Sequence, residues 1–340
     1  MKRLVGLLLL LCLLTGCMAV PEPVELKQYN ATFLELFDTV TTVVGKAESE
    51  EAFQTTAAAI RDKLKVYHEL FDVYNDYEGV NNLKTVNDNA GIAPVKVDSA
   101  ILDMLSDCKK YYAATDGRVN VAMGAVLNLW HEARNVSIND PANAVLPGEE
   151  KLQEAAKHCN LEDVVIDWEK STVYLKDPQM RLDVGAVAKG WAAQRVAMDS
   201  PKGLLISVGG NVCATDAKDE FGTPWVIGIE NPDGGKYLHT LNIQKTNVVT
   251  SGDYQRVYVV EGKAYHHIID PDTLYPATLW RSVSVVAPDS GAADALSTAL
   301  FLLPKEEGEA LLAKFSACAM WVDAGGNKYY SPGFEELIRT

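Results

Sequence analysis

Residues 164–287 carry a succession of short alternating segments, most of them closed by turn residues, and no helix follows strand in regular alternation. The runs at 164–168, 172–175, 204–208, 225–230, 238–243, 256–260 and 264–269 read as strands, with Glu261-Gly262 as a hairpin turn. A parallel sheet needs a crossover after each strand, usually a helix, so this pattern argues for antiparallel pairing. Further strands are expected at 31–44, 282–287 and 317–322. Helical spacing gathers elsewhere. Residues 48–74 place Ile60, Leu64, Tyr67, Leu70 and Phe71 on one face. Ser99 caps a second helix with Ile101, Leu102, Leu105 and Cys108 inward, and it ends at Gly117. A short helix follows Pro147-Gly-Glu-Glu and ends near His158, and two more occupy 292–303 and 305–315, divided by Pro304. The Asn-rich run 74–89 reads as a break in regular structure. The expected class is α+β, a single domain of mixed, largely antiparallel sheet with packed helices.

The N-terminus reads as an export signal. Lys2-Arg3 precedes the apolar run 4–14, which is too short to span a bilayer. Leu14-Thr-Gly-Cys17 resembles a bacterial lipobox, in which the cysteine is acylated and becomes the new N-terminus. The expected division is a signal at 1–16, a tether at 17–30 after lipidated Cys17, and one domain over 31–340. The lipid would hold that domain at the outer face of the cytoplasmic membrane.

The formal net charge is −15, and removing Lys2 and Arg3 makes the remainder more negative still. Such a balance argues against a nucleic-acid surface, and a polyanionic ligand would have to meet local cations, a metal or helix N-termini. Cys108, Cys159, Cys213 and Cys318 form no C-x-x-C pair, so free thiols are expected rather than a cysteine zinc site. No G-x-G-x-x-G runs from strand into helix, so a Rossmann site is not supported.

Two segments concentrate the chemistry. Arg181-Leu-Asp-Val-Gly-Ala-Val-Ala-Lys-Gly190 enters a helix with Asp183 and Lys189 on either side of a turn at Gly185. Ala293-Asp-Ala-Leu-Ser-Thr-Ala299 places Asp294 and Thr298 four apart, on one helix face. A carboxylate and a hydroxyl so placed offer hard oxygen ligands of the kind Mg2+ accepts while leaving room for phosphates. His266-His-Ile-Ile-Asp-Pro271 adds imidazoles. Val208-Gly-Gly-Asn211 and Ser251-Gly-Asp253 are glycine turns that either cradle a diphosphate or simply satisfy positive φ.

These segments join Phe37-Asp-Thr-Val-Thr, Asp116-Gly-Arg-Val-Asn-Val-Ala-Met-Gly, Asn128-Leu-Trp and Thr250-Ser-Gly-Asp-Tyr in an order that resembles the ApbE family, the FAD:protein FMN transferases. The resemblance implies a T-fold-related ApbE-like domain and a reaction that moves FMN from FAD to a threonine hydroxyl of an acceptor protein, with AMP leaving. It implies Mg2+ held by Asp294, Thr298 and the Ala186 carbonyl, with Ser297 adjacent. It implies FAD contacts from Phe37, Tyr74, Arg118, Val119, Asn120, Asp183, Lys189 and Ile268, and a role for His267 in accepting the threonine proton or orienting a phosphate. His266 fits a hairpin-edge role better. The implied acceptors are exported or membrane-associated flavoproteins such as Rnf- or Nqr-like redox subunits. The chain departs from the family pattern at Asn120, where Asp is usual, and at Leu274, where Gly is common. Two further readings keep the same site: a lipoprotein that hydrolyses FAD to FMN and AMP, and a lipoprotein that only binds FAD.

Overall fold

The computed structural model describes residues 25–339, so the leader, Cys17 and the start of the expected tether lie outside the described residues. In chain order the strands are β1 (Lys27–Leu36), β2 (Thr39–Ala47), β3 (Val95–Lys96), β4 (Val164–Asp167), β5 (Thr172–Leu175), β6 (Leu204–Val208), β7 (Asn211–Ala214), β8 (Trp225–Ile229), β9 (His239–Ile243), β10 (Asn247–Gly252), β11 (Tyr258–Val260), β12 (Lys263–Tyr265), β13 (Ser282–Ala287), β14 (Cys318–Val322) and β15 (Lys328–Tyr330). The helices are α1 (Glu50–Phe71), α2 (Leu83–Asp88), α3 (Ser99–Ala114), α4 (Gly124–Asn139), α5 (Glu149–Ala156), α6 (Ala188–Met198), α7 (Ser290–Leu302) and α8 (Lys305–Leu312).

Eight strands form one sheet in the order β1-β2-β6-β7-β10-β13-β14-β15, and every neighbouring pair is antiparallel. The class is α+β. Alternation along β6 shows how the layers arise. Leu204, Ile206 and Val208 pack with Phe53, Ala57, Ile60 and Leu64 of α1 and with Ala192, Ala193 and Val196 of α6. Leu205 points the other way, towards the cluster built on Trp225, Ile227, Leu241 and Ile243 of the β8–β9 hairpin. Period 2 in the strand thus serves two cores. Central β13 is buried along its whole length and reads as continuous apolar and small residues rather than as an alternation. Helix α7 lies beneath β10 and β13.

Several local expectations change. Residues 31–44 were expected as one strand but belong to a hairpin, because Phe37 and Asp38 turn the chain with φ of 54° and 52°. The turn carries no glycine, so its signal is weak; Asp tolerates the left-handed region better than most residues. Strand β1 also begins at Lys27, and Lys27 to Asn30 pair with Ala47 to Val44, so the expected tether stretch ends inside the sheet. Helix α4 had no place in the expectation. It starts without a side-chain cap on Met123 and has Gly124 as its first residue, so neither start signal is present. Helix α3 is capped by Asp98, not Ser99. The four described cysteines are free, with Cys108 and Cys213 buried. No helix among the described residues is long and apolar enough to cross a membrane.

The Asn-rich run contains a helix rather than a break. Asn82 caps α2, accepting from the Thr85 amide while the Thr85 hydroxyl accepts from the Asn82 amide. Asn87, buried on that helix, accepts from Leu182 N at 2.7 Å and donates to Leu182 O at 3.0 Å. It thereby imitates a neighbouring strand for the segment that carries Asp183. On the other side, Asp183 N donates to Val121 O at 2.8 Å and Gly124 N to Arg181 O at 3.0 Å. The site segment is held from both edges. Asn87→Ala leaves a buried N–H and C=O unmatched and is expected to cost about 3 kcal/mol, read as a lower urea midpoint at unchanged m-value.

Candidate active site

A cleft of about 690 Å³ opens where the 118–123 segment, α4, the Asp183–Lys189 turn, the β10–β11 connection, the residues after β12 and α7 meet. One wall is made by helix packing. Asp289 caps α7 by accepting from Ala292 N at 2.7 Å, and small residues follow at Gly291, Ala292, Ala293 and Ala295. Gly190 of α6 rests so close to this helix that a Cβ there would lie 2.3 Å from Ser290 O. Close approach puts Gly190 N 2.8 Å from Asp294 Oδ2, to which it donates. The first turn of α6 therefore does not close onto Ala186 through that amide.

The consequence is a set of free oxygens. Among the described residues no protein donor reaches the Ala186 carbonyl, Asp294 Oδ1 or the Thr298 hydroxyl, and all three residues line the cleft. Asp294 is only 4% exposed. Burial pushes its carboxyl above the usual range, against the opposing pull of Lys189 and of the Gly190 N–H. Ser297 faces elsewhere: it is fully buried, and its hydroxyl is shared with Ser251 Oγ at 2.8 Å and donates to Asp294 O at 2.9 Å.

Tyr74, Arg118, Val119, Asn120, Asp183, Lys189, His267 and Ile268 also line the cleft. Phe37 does not; its ring lies edge-on to His68 and its amide donates to His68 Nδ1, while the next residues, Asp38 and Thr39, reach the cleft. Arg118 pairs with Asp272 at 2.5 Å and stands 3.8 Å from Asp270. Both ends of the Asn120 amide are engaged: Nδ2 donates to Cys159 O and Oδ1 accepts from Ala122 N, each at 2.9 Å. An aspartate has no donor for the Cys159 carbonyl, which accounts for the amide at this position. Leu274 keeps φ at 63° without glycine. Its side chain is buried beside Met123, Val126 and Trp130, and that burial offsets the backbone strain of roughly 1–2 kcal/mol.

His267 projects into the cleft, open to its solvent yet enclosed by its walls. Its Nδ1 lies 3.1 Å from Gln255 O, a contact in which the ring N–H donates and Nε2 is left with its lone pair. Enclosure lowers its pKa below the ordinary imidazole value, and the Arg256 and Lys189 charges lower it further. His266 is buried against Phe301, with Nε2 2.8 Å from Ala277 O, which is a structural placement.

Sequence reasoning missed one whole wall. Leu127, Trp130, His131 and Arg134 of α4 line the cleft at i, i+3, i+4, i+7 spacing, as do Gln255 and Arg256 before β11. The i, i+3, i+4, i+7 spacing of these four α4 residues is the sequence signal that marks this wall. His131 stacks on Tyr74 with ring centroids 4.4 Å apart and planes 20° apart.

The ApbE family model matches residues 37–321. The FAD:protein FMN transferase of Treponema pallidum is 34% identical over 283 residues, spanning 76% of this chain and 75% of that protein. The FAD:protein FMN transferase of Escherichia coli K12 is 25% identical over 98% of this chain and 97% of its own length. The crystal structure of the ApbE protein from Thermotoga maritima superposes with a TM-score of 0.80 at 28% identity, covering 92% of this chain and all of that one. The flavin transferase ApbE from Vibrio cholerae, at 22% identity and a TM-score of 0.74, bears on the fold alone. The chain belongs to the ApbE family and is an enzyme of the flavin-transferase class.

Proposed function

We propose that this enzyme transfers FMN from FAD to a threonine hydroxyl of an exported acceptor protein, uses Mg2+, and releases AMP. The observation that carries the reading is the trio of unpartnered oxygens on Ala186, Asp294 and Thr298 in one cleft. One carboxylate, one hydroxyl and one carbonyl make a sparse, hard-oxygen set, and among the described residues no three His, Cys, Asp or Glu side chains gather as an alternative. Mg2+ tolerates such a set because it keeps waters and takes substrate phosphates as ligands. Bound there, it would neutralise charge on the diphosphate and on the departing oxygen.

The chain's own groups supply the rest. Lys189 lines the same cleft as Asp294 and His267, its ammonium donates to Gly185 O at 3.3 Å, and it offers a cation to a phosphate bound there. The threonine oxygen attacks the FMN phosphorus, the bridging P–O bond breaks, and AMP carries away the bridging oxygen. His267 Nε2, held neutral and oriented by Gln255, is the acceptor for the threonine proton. A depressed histidine pKa has a definite sign in the rate profile. The base form persists as pH falls through about 6.5, so kcat/KM is expected to stay flat there and to drop only at lower pH. His267→Ala should lower transfer about a hundredfold and erase that acid limb; an unchanged limb would remove His267 from the proton path.

The reading extends to place and partners. The Leu14-Thr-Gly-Cys17 pattern supports lipid anchoring at the outer face of the cytoplasmic membrane, with the domain starting near the sheet's first strand. Rnf- or Nqr-like subunits and exported flavoproteins are the acceptors of matching location. The test is incubation with FAD, Mg2+ and a co-expressed candidate acceptor, followed by flavin fluorescence on a denaturing gel and AMP quantitation. Protein-linked flavin that disappears when the acceptor threonine is changed supports transfer, whereas free FMN alone points to hydrolysis and intact FAD to binding only. Membrane fractionation of wild type against Cys17→Ser tests the anchor, which fails if both partition alike.

A further inference from the structure

Four cationic side chains line the cleft of a chain whose formal net charge is −15. Arg118 is committed to Asp272, and Lys189 belongs to the set already described. Arg134 and Arg256 have no carboxylate partner among the described residues, although acidic side chains outnumber basic ones in this chain by 46 to 31. Arg256 is exposed to the cleft solvent, whereas Arg134 is half-buried, where an unpaired guanidinium is costly unless an anion arrives to meet it.

Arg134 carries a further mark of a site left open. Arg134 Nε is buried and has no acceptor. Arg256 sits with φ at 46°, an uncommon conformation for a residue with a side chain. It directly follows Gln255, whose carbonyl orients His267. Both arginines act on the same neighbour, lowering the pKa of His131 after the larger effect of enclosure, and Arg256 also acts on Tyr74 and His267. Asp294, Lys189, His267, Arg256 and Arg134 line one cleft together with the Tyr74–His131 stack. An aromatic platform with two guanidinium groups next to it suits a planar heterocycle joined to phosphates, since arginine meets phosphate oxygens with paired donors.

We infer that Arg134 and Arg256 are substrate-binding residues that receive the diphosphate charge of the dinucleotide. The inference rests on the proposed function, and it assigns work to the α4 wall and the β10–β11 connection. Binding, which needs no turnover, tests it. Wild type, Arg134→Gln, Arg256→Gln and the double variant are titrated with FAD and with riboflavin by flavin fluorescence, in Mg2+ and in EDTA. Riboflavin keeps the ring and lacks the phosphates. Each single variant is expected to weaken FAD binding about tenfold and the double variant further, with riboflavin affinity unchanged and salt dependence reduced. Should a Gln variant fail to fold, its Lys counterpart, which keeps the charge, replaces it and is expected to fall between wild type and complete loss in FAD affinity. A folded double variant that binds FAD as wild type does, or that loses riboflavin equally, overturns the inference. A wild-type protein that binds neither flavin sinks the functional reading instead.

Discussion

Asp294→Asn is expected to fold as well as the wild type and to lose transfer by at least about a hundredfold, which in practice means no detectable protein-linked flavin. Asparagine keeps an oxygen for the Gly190 amide, so the α6–α7 contact survives, while the negative charge disappears. Stability should move in the opposite sense from activity. The carboxyl of Asp294 is raised by burial, so its folded pKa lies above its unfolded one. A group of that kind stabilises the fold fully below the unfolded carboxylate value and loses that contribution as pH rises through the folded value. At neutral pH without a divalent cation, the asparagine variant should therefore melt no lower than wild type. Added Mg2+ should raise the wild-type Tm and leave the variant unmoved, because binding to the native state alone is what shifts the equilibrium. A variant that still transfers FMN, or that gains the same Tm on adding Mg2+, would take the metal away from Asp294. Asp294→Ala should lose transfer as well, and it also strands the Gly190 amide.

Gly190→Ala tests the scaffold under the same oxygens. In an exposed helix the change would stabilise by up to about 1 kcal/mol, since glycine is the poorer helix former. Here the added methyl would lie 2.3 Å from Ser290 O, 2.6 Å from Asp294 Cβ and 3.0 Å from Ser290 C. Two of those three are main-chain atoms, which do not swing aside. Overpacking costs typically 1–3 kcal/mol, occasionally more, so the clash outweighs the propensity gain and net destabilisation of about 2 kcal/mol is expected. Any relief must separate α6 from α7, which breaks the Gly190–Asp294 contact and should remove transfer even in the folded fraction. Equilibrium unfolding together with the gel assay reads both effects. A stable, active Gly190→Ala protein would mean that the two helices do not need this distance.

Much of the site could be read in the chain because it rests on short-range geometry. The spacing of Asp294 and Thr298 already put them on one helix face, and the resemblance to the ApbE family singled out the Ala186 carbonyl. The β11–β12 hairpin followed from alternation and its Glu261-Gly262 turn, and β4, β5, β8 and β9 followed as strands from alternation. What escaped was structure whose local signals are weak or misleading. Helix α4 begins on glycine without a cap, and the asparagines of residues 74–89 discourage helix by propensity while Asn82 builds one by capping. The Phe37–Asp38 turn lacks glycine, so one expected strand became two. With α4 unseen, His131 and Arg134 had no reason to be chosen. Phe37 matched by motif yet stands one residue away from the cleft lining.

The amino-acid sequence by itself determined which side chains are available, their order, the antiparallel character of the sheet and the residues that share a helix face, because capping, alternation and helical period act between near neighbours. Only the tertiary structure decided that Gly190 of α6 meets Asp294 of α7, that Asn87 stands in for a strand beside Leu182, and that Arg118 has an acidic partner while Arg134 and Arg256 have none among the described residues. Those outcomes depend on non-local strand pairing and on two helices packed at glycine distance. No window of neighbouring residues contains that information.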